Sequence, residues 1–117
     1  MVITRVAVFT LSVSIWSAAS GEASYRLVGC SQFKDGVSVG FSGPRGEKRR
    51  MHLSPRGVQL AGDVKGFARL SQVKELVLQP ALEITYTSGF RVQFGPIDAQ
   101  CQQLFREVGT SLVHIKA

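Results

Sequence analysis

Several residue types that often hold metals or attach sugars are scarce in this chain of 117 residues. Two cysteines and two histidines are too few for a four-ligand zinc module unless carboxylates join them. The chain contains no asparagine, which excludes N-linked glycosylation. No apolar run approaches the roughly 20 residues that a membrane-spanning helix needs. We therefore expect no metal, no cofactor and no transmembrane segment.

Motifs for catalysis are also missing. The acidic residues are scattered singly, so no carboxylate pair is visible, and no glycine-rich phosphate loop occurs. Residues 36–40 read Gly-Val-Ser-Val-Gly and match the nucleophile-elbow letters, but they lie in an alternating strand pattern that no helix follows. Ser38 is then a solvent-facing strand residue. His52 lacks a neighbouring carboxylate pattern and is expected to be a surface histidine. These features predict a protein that is not an enzyme.

The first 23 residues permit two interpretations. A short opening with Arg5, an apolar stretch at 6–16 and small residues at 17–23 follow the order of a secretory signal peptide. The alternative is a first β-strand, because the same stretch is rich in strand-forming residues. A cleaved signal would make the protein secreted or periplasmic, whereas an intact N-terminus would place it inside the cell, in the nucleus or cytoplasm. Residues 24–117 are long enough for a single small domain.

The middle of the chain alternates apolar and polar residues with a period of two, which predicts strands with one face in a core and one in water. Gly, Pro and Asp clusters divide this region into strands near residues 25–33, 36–42, 47–53, 57–61, 65–70 and 73–78. The runs at 82–87 and 90–94 flank Ser88 and Gly89, and a glycine in so short a connection predicts a tight hairpin. Such close spacing favours an antiparallel meander.

The end of the chain changes to a helical period. Apolar residues recur at steps of three and four on one face, namely Ile97, Cys101, Leu104, Phe105, Val108 and Leu112. Pro96 suits the start of a helix, and Asp98 complements the positive end of its dipole. Gly109 favours an end of the helix there, which leaves residues 112–115 as a loosely held tail. The predicted fold is α+β: about seven antiparallel strands closed by one C-terminal amphipathic helix.

Three segments in this order carry a resemblance to a known superfold: LSPRGVQLAG (53–62), LSQVKELVLQ (70–79) and ALEITYTSGFRVQF (81–94), followed by the helix. The arrangement resembles the pleckstrin-homology/phosphotyrosine-binding superfold over residues 25–115. This resemblance implies a barrel or sandwich of the pleckstrin-homology type and a role as a binding or interaction module.

A narrower resemblance involves residues 5–9, Trp16 and residues 25–27. Their order is similar to the start of the pleckstrin-homology-like accessory subunit of the meiotic double-strand-break machinery, although this chain has more residues between Tyr25 and Leu70. That resemblance implies an intracellular adaptor or scaffold subunit in meiotic recombination.

The role of Cys30 and Cys101 depends on the compartment. In an exported chain the two can pair and tie the first mature strand to the start of the helix. Inside the cell both are expected to be reduced and to behave as small apolar residues.

Positive charge is concentrated in the middle of the chain, where residues 45–74 include eight basic and two acidic residues. Such a region attracts acidic protein surfaces, anionic lipid headgroups or nucleic acid phosphates. In lipid-binding pleckstrin-homology domains basic residues of the early hairpins do this, and the candidate site here is Arg45, Lys48, Arg49, Arg50 and Arg56. We expect a protein partner, bound through this basic hairpin face or an open sheet edge. The alternative is a charged strand edge that only prevents unwanted pairing.

Overall fold

A computed structural model describes residues 25–116. The predicted signal peptide or first strand at residues 1–23 lies outside the described residues. The first part of the described chain is a five-stranded antiparallel sheet in which each strand pairs with the next along the sequence. Its strands are β1 (Arg26–Phe33), β2 (Gly36–Ser42), β3 (Lys48–Ser54), β4 (Gly57–Gly62) and β5 (Gly66–Ala68). These strands match five of the predicted runs.

The second part begins with one turn of 3₁₀ helix (Leu70–Gln72) and forms a four-stranded sheet in the order β9-β6-β7-β8. Its elements are β6 (Val73–Val77), β7 (Glu83–Tyr86), β8 (Arg91–Gln93), helix α1 (Ala99–Leu104), a π-helical continuation (Phe105–Gly109) and β9 (Ile115–Lys116). The predicted hairpin between β7 and β8 is confirmed: Gly89 takes a φ of 93°, and its N–H donates to the Tyr86 carbonyl.

The inner faces of both sheets contribute to one hydrophobic core. Val37, Val39 and Phe41 alternate into it from β2, and Met51 and Leu53 do so from β3. Ile84 and Val92 enter it from the second sheet, and the Phe41 and Phe94 rings meet with centres 5.6 Å apart. The period of two in the sequence therefore arises because each strand buries one of its faces.

Helix α1 covers the inner side of the five-stranded sheet. The Asp98 side chain accepts a hydrogen bond from the Cys101 N–H at 2.8 Å and so caps the first turn. Cys101 and Phe105 are buried, while Leu104 and Val108 are partly buried against the core. The predicted apolar face is thus confirmed, and the helical segment ends at Gly109 as expected. Within the described residues, no helix is long and apolar enough to cross a membrane.

Helix α1 is also joined to the edge of the sheet by a disulfide. The sulfur atoms of Cys30 on β1 and Cys101 on α1 lie 2.10 Å apart. This is the pairing that the sequence permits for an exported chain, although the location of the protein itself stays a prediction.

The structure differs from the expected architecture in three respects. Residues 25–116 contain nine strands rather than about seven, and these strands form two sheets that do not close into a barrel. The segment expected to be a loose tail is ordered: Val113 is buried, and β9 pairs in parallel with β6, with Ile115 opposite Leu76. A parallel pair needs a long crossover, and the helical segment supplies it. The resemblance to the pleckstrin-homology superfold stays a prediction.

Candidate functional site

The run Lys48-Arg49-Arg50 does not form a single cluster of positive charge. It lies in strand β3, where successive side chains point to opposite faces. Arg49 is paired with Phe41 and points toward the inner side. Lys48 and Arg50 are exposed and point outward. The structure thus separates the middle residue of the predicted site from its two neighbours.

Arg49 forms a cluster that we call the arginine clasp, made of Tyr25, Arg49, Asp63 and the carbonyl of Gln93. The Arg49 Nε and Nη2 atoms donate to the two Asp63 oxygens at 2.9 and 3.0 Å, and Nη1 donates to the Gln93 carbonyl at 2.5 Å. The Tyr25 hydroxyl donates to Asp63, and the Arg49 Cζ lies 4.2 Å from the centre of the Tyr25 ring. Because Gln93 belongs to β8, the clasp joins the two sheets.

The clasp alters the protonation of its acidic members. Hydrogen bonding from Arg49 lowers the pKa of Asp63 below its usual value. The hydrogen bond to Asp63 raises the pKa of Tyr25 above its usual value, because ionisation of the phenol would remove the proton that it donates. The positive charge of Arg49 is therefore compensated by the Asp63 carboxylate, and the guanidinium is not free to bind a ligand.

The outward side chains of the five-stranded sheet form a continuous surface, which we call the outer face. One row across all five strands consists of Ser31, Ser38, His52, Gln59 and Phe67. The next row consists of Gly29, Gly40, Arg50 and Ala61. Since most of these residues are small, they form the floor of a shallow groove of about 560 Å³ in the middle of the sheet.

One end of the outer face is positively charged. Arg26, Ser42 and Lys48 lie side by side on β1, β2 and β3, and the stem of Arg50 lies across Gly40. We call Arg26, Lys48 and Arg50 the cationic end; among the described residues none of the three has a salt-bridge partner. Arg45 is exposed in the adjoining β2–β3 turn, where its N–H donates to the Glu47 carboxylate at 2.7 Å.

The other end of the outer face is aromatic. Phe33 and Phe67 are 54% and 55% exposed, unusual fractions for such large apolar side chains. They flank a cleft of about 540 Å³, which we call the aromatic cleft. Its lining also includes Lys34, Asp35, His52, Ser54, Arg56, Gly57 and Gln59. Arg56 is thus at the opposite end of the sheet from Lys48, so the five predicted basic residues form no single cluster.

His52 connects the two ends. Its side chain lies on the face opposite Met51 and Leu53, and its Nδ1 is 2.8 Å from the Ser38 hydroxyl. Its ring meets Phe33 edge to face, with centres 5.8 Å apart. Ser38 is likewise on the outer face. These contacts fix the imidazole in the floor between the cleft and Arg50.

Sequence reasoning missed Phe33 and Phe67 as functional candidates. Both lie in predicted strands, but strand alternation alone does not show which face is inner at the ends of a sheet. The available signal for Phe67 was its position between Gly66 and Ala68, without the apolar alternation seen in β2 or β3. Within residues 25–116, no group of three or more potential metal ligands occurs.

Comparison of the chain with protein-family models, curated proteins and solved structures finds no match.

Proposed function

We propose that this protein is a non-enzymatic binding module whose outer face holds an acidic segment of a partner protein. The observation that supports the proposal is the cationic end, where Arg26, Lys48 and Arg50 project from adjacent positions above a floor of glycine and serine. An extended chain can approach such a floor closely because few side chains obstruct it. Its carboxylates would then meet cations that have no salt-bridge partner within residues 25–116.

The distribution of charge in the chain supports an acidic partner. The five-stranded sheet and its turns, residues 26–68, contain eight basic and three acidic residues. Asp63 is already bound to Arg49, and Glu47 accepts from the Arg45 N–H. The second half, residues 69–116, has five basic and four acidic residues. The positive field is therefore strongest around the outer face, where it would accelerate the approach of an acidic segment.

The same geometry favours a protein segment over nucleic acid or a lipid surface. The cationic end is separated from Lys34 and Arg56 at the cleft by the uncharged row that contains Ser38 and Gln59, whereas a phosphate backbone needs a continuous track of positive charge. The other end offers exposed aromatic rings, which suit an apolar side chain. The Ser38–His52 contact does not favour catalysis, because β2 is paired on both sides and its backbone N–H groups are not free to stabilise an oxyanion.

The proposal is tested with a fluorescent peptide of alternating Glu and Ser and a matched peptide of alternating Lys and Ser. We expect anisotropy to report binding of the acidic peptide only, weakening as salt is raised. Lys48→Glu with Arg50→Glu should abolish this binding. The control Lys74→Glu with Arg106→Glu makes the same change in net charge on exposed residues elsewhere and should preserve it.

Three results would overturn the proposal. The first is equal binding of both peptides, and the second is binding of neither. The third is binding of the acidic peptide that survives the Lys48/Arg50 reversal. Duplex DNA and anionic vesicles serve as competitors, and tighter binding of either one than of the acidic peptide would also reject a protein segment as the partner.

A further inference from the structure

We propose that the aromatic cleft is an anchor site that holds one aromatic side chain, Phe or Trp, of the bound acidic segment. This inference rests on the proposed function and adds a specificity-determining site to it. The cleft is bounded by Phe33 on β1 and Phe67 on β5, so it spans the full width of the sheet. Each of the two exposed rings offers an aromatic side chain of a ligand an apolar surface to stack on.

The walls of the cleft are held in place before any ligand binds. The Phe67 ring lies over Gly57, where an added Cβ would come within 2.7 Å of it and within 2.3 Å of the Ala68 carbonyl. Gly57 also has a φ of 144°, which favours glycine. On the other side Phe33 is held by the His52 ring and by Lys34, whose ammonium is 5.4 Å from the Phe33 ring centre. These contacts reduce the conformational freedom that the two rings would lose when a ligand binds.

The rim of the cleft indicates which residues flank the anchor. Lys34 and Arg56 are exposed there, with Asp35 as the acidic residue of the lining. An aromatic side chain of the bound segment with acidic neighbours would place its ring against the apolar walls and its neighbouring carboxylates near the positive rim. An aromatic residue flanked by basic residues would instead place like charges together.

The register of β3 sets the spacing of the acidic residues. His52 in the cleft lies two residues from Arg50 and four from Lys48 on the same face. A strand rises about 3.4 Å per residue, so these cations lie roughly 7 and 14 Å from the cleft along the strand. In a segment that runs extended along β3, carboxylates two and four residues from the aromatic anchor meet Arg50 and Lys48.

The test uses the alternating Glu and Ser peptide with its central Glu replaced by Ser, and the same peptide with Phe at that position, so that the remaining Glu residues lie two and four residues from the centre. We expect the Phe peptide to bind about tenfold or more tightly, because a buried aromatic side chain contributes at least that factor. Phe33→Ser and Phe67→Ser should each remove this gain and leave the affinity for the Ser peptide unchanged. Phe90→Ser is the matched control, since Phe90 is 63% exposed on the β7–β8 hairpin, and it should retain the gain.

A second measurement uses the wild-type protein alone, so it does not depend on whether the variants fold. The proton signals of the His52 ring should shift when the Phe peptide binds, through the ring current of the anchor, and shift less with the Ser peptide. His114, which directly precedes β9, provides the reference signal. Equal affinities of the two peptides, or a gain that survives both wall variants, would overturn the anchor site while the acidic-segment proposal stands. Absence of binding by either peptide would instead overturn the proposed function.

Discussion

Replacing Arg49 by Met should destabilise the fold, whereas the same replacement at Arg50, the next residue on the strand, should not. Met preserves most of the apolar stem and removes the guanidinium. The variant loses both contacts to Asp63, the bond to the Gln93 carbonyl and the stacking on Tyr25. Arg50 has no such partners in the described part of the chain.

The size of the effect follows from these contacts. Hydrogen bonds to charged groups contribute about 1.5–3 kcal/mol each when shielded from water. The Arg49 and Asp63 side chains retain 19% and 26% of their exposure, so solvent screens part of that contribution. The carboxylate of Asp63 loses its cation but retains the Tyr25 hydroxyl. We expect a loss of about 2 kcal/mol at position 49, and a change within about 0.5 kcal/mol at position 50.

The assay is urea unfolding followed by far-ultraviolet circular dichroism, at neutral pH and with the disulfide intact. A double-mutant cycle with Asp63→Asn isolates the pair and should give a coupling free energy above about 1 kcal/mol. Arg49→Lys restores the positive charge but not the planar guanidinium that binds both Asp63 oxygens. It should therefore recover only part of the stability. Equal stability of the Arg49→Met and Arg50→Met variants, or a coupling near zero, would refute the role assigned to the clasp.

Two further predictions concern the acidic limb of the stability curve and the disulfide. Because the folded-state pKa of Asp63 is lowered, its contribution is present above the unfolded-state pKa and is lost as the pH falls through the folded one. Asp63→Asn should therefore flatten the fall in unfolding free energy between neutral and acidic pH, and parallel curves for the two proteins would contradict this. Cys30→Ala with Cys101→Ala should lower the unfolding free energy by about 2–4 kcal/mol, since the crosslink closes a loop with a sequence separation of 71. Reduced wild-type protein should match the double variant, and an unchanged stability on reduction would show that the bond does not form in solution.

The strands of the first sheet and the β7–β8 hairpin could be predicted because their signals are local. Alternation over β2 and β3 and the turn at Gly89 depend on neighbouring residues alone. The capped start of α1 at Asp98 and its end at Gly109 are local in the same sense.

The division into two sheets and the pairing of β9 could not be predicted, because they depend on contacts between distant parts of the chain. A strand pattern shows which face is apolar but not which strand lies beside it. Residues 115 and 116 form a strand only because Leu76 and Val77 lie opposite them, and two residues give no periodicity to read.

The positions of the charged side chains in the candidate site could likewise be predicted only in part. Counting basic residues identified the region that contains Lys48 and Arg50, and alternation could have separated Arg49 from these two. The partner of Arg49 was not available from the sequence. Asp63 lies 14 residues from Arg49 in the sequence. The two meet only because Arg49 is paired with Gly62 on β4, and Asp63 directly follows Gly62.

The separation of inward and outward arginines decides which mutations can report on function. Reversing Arg49 and Arg50 together would place a carboxylate beside Asp63 and would also remove a cation from the outer face. Loss of binding would then follow from a weakened fold as readily as from a lost contact. Reversing Lys48 and Arg50 leaves the clasp intact, because both side chains project from the opposite face of β3. A loss of binding in that variant, with unfolding free energy unchanged, can arise only at the surface.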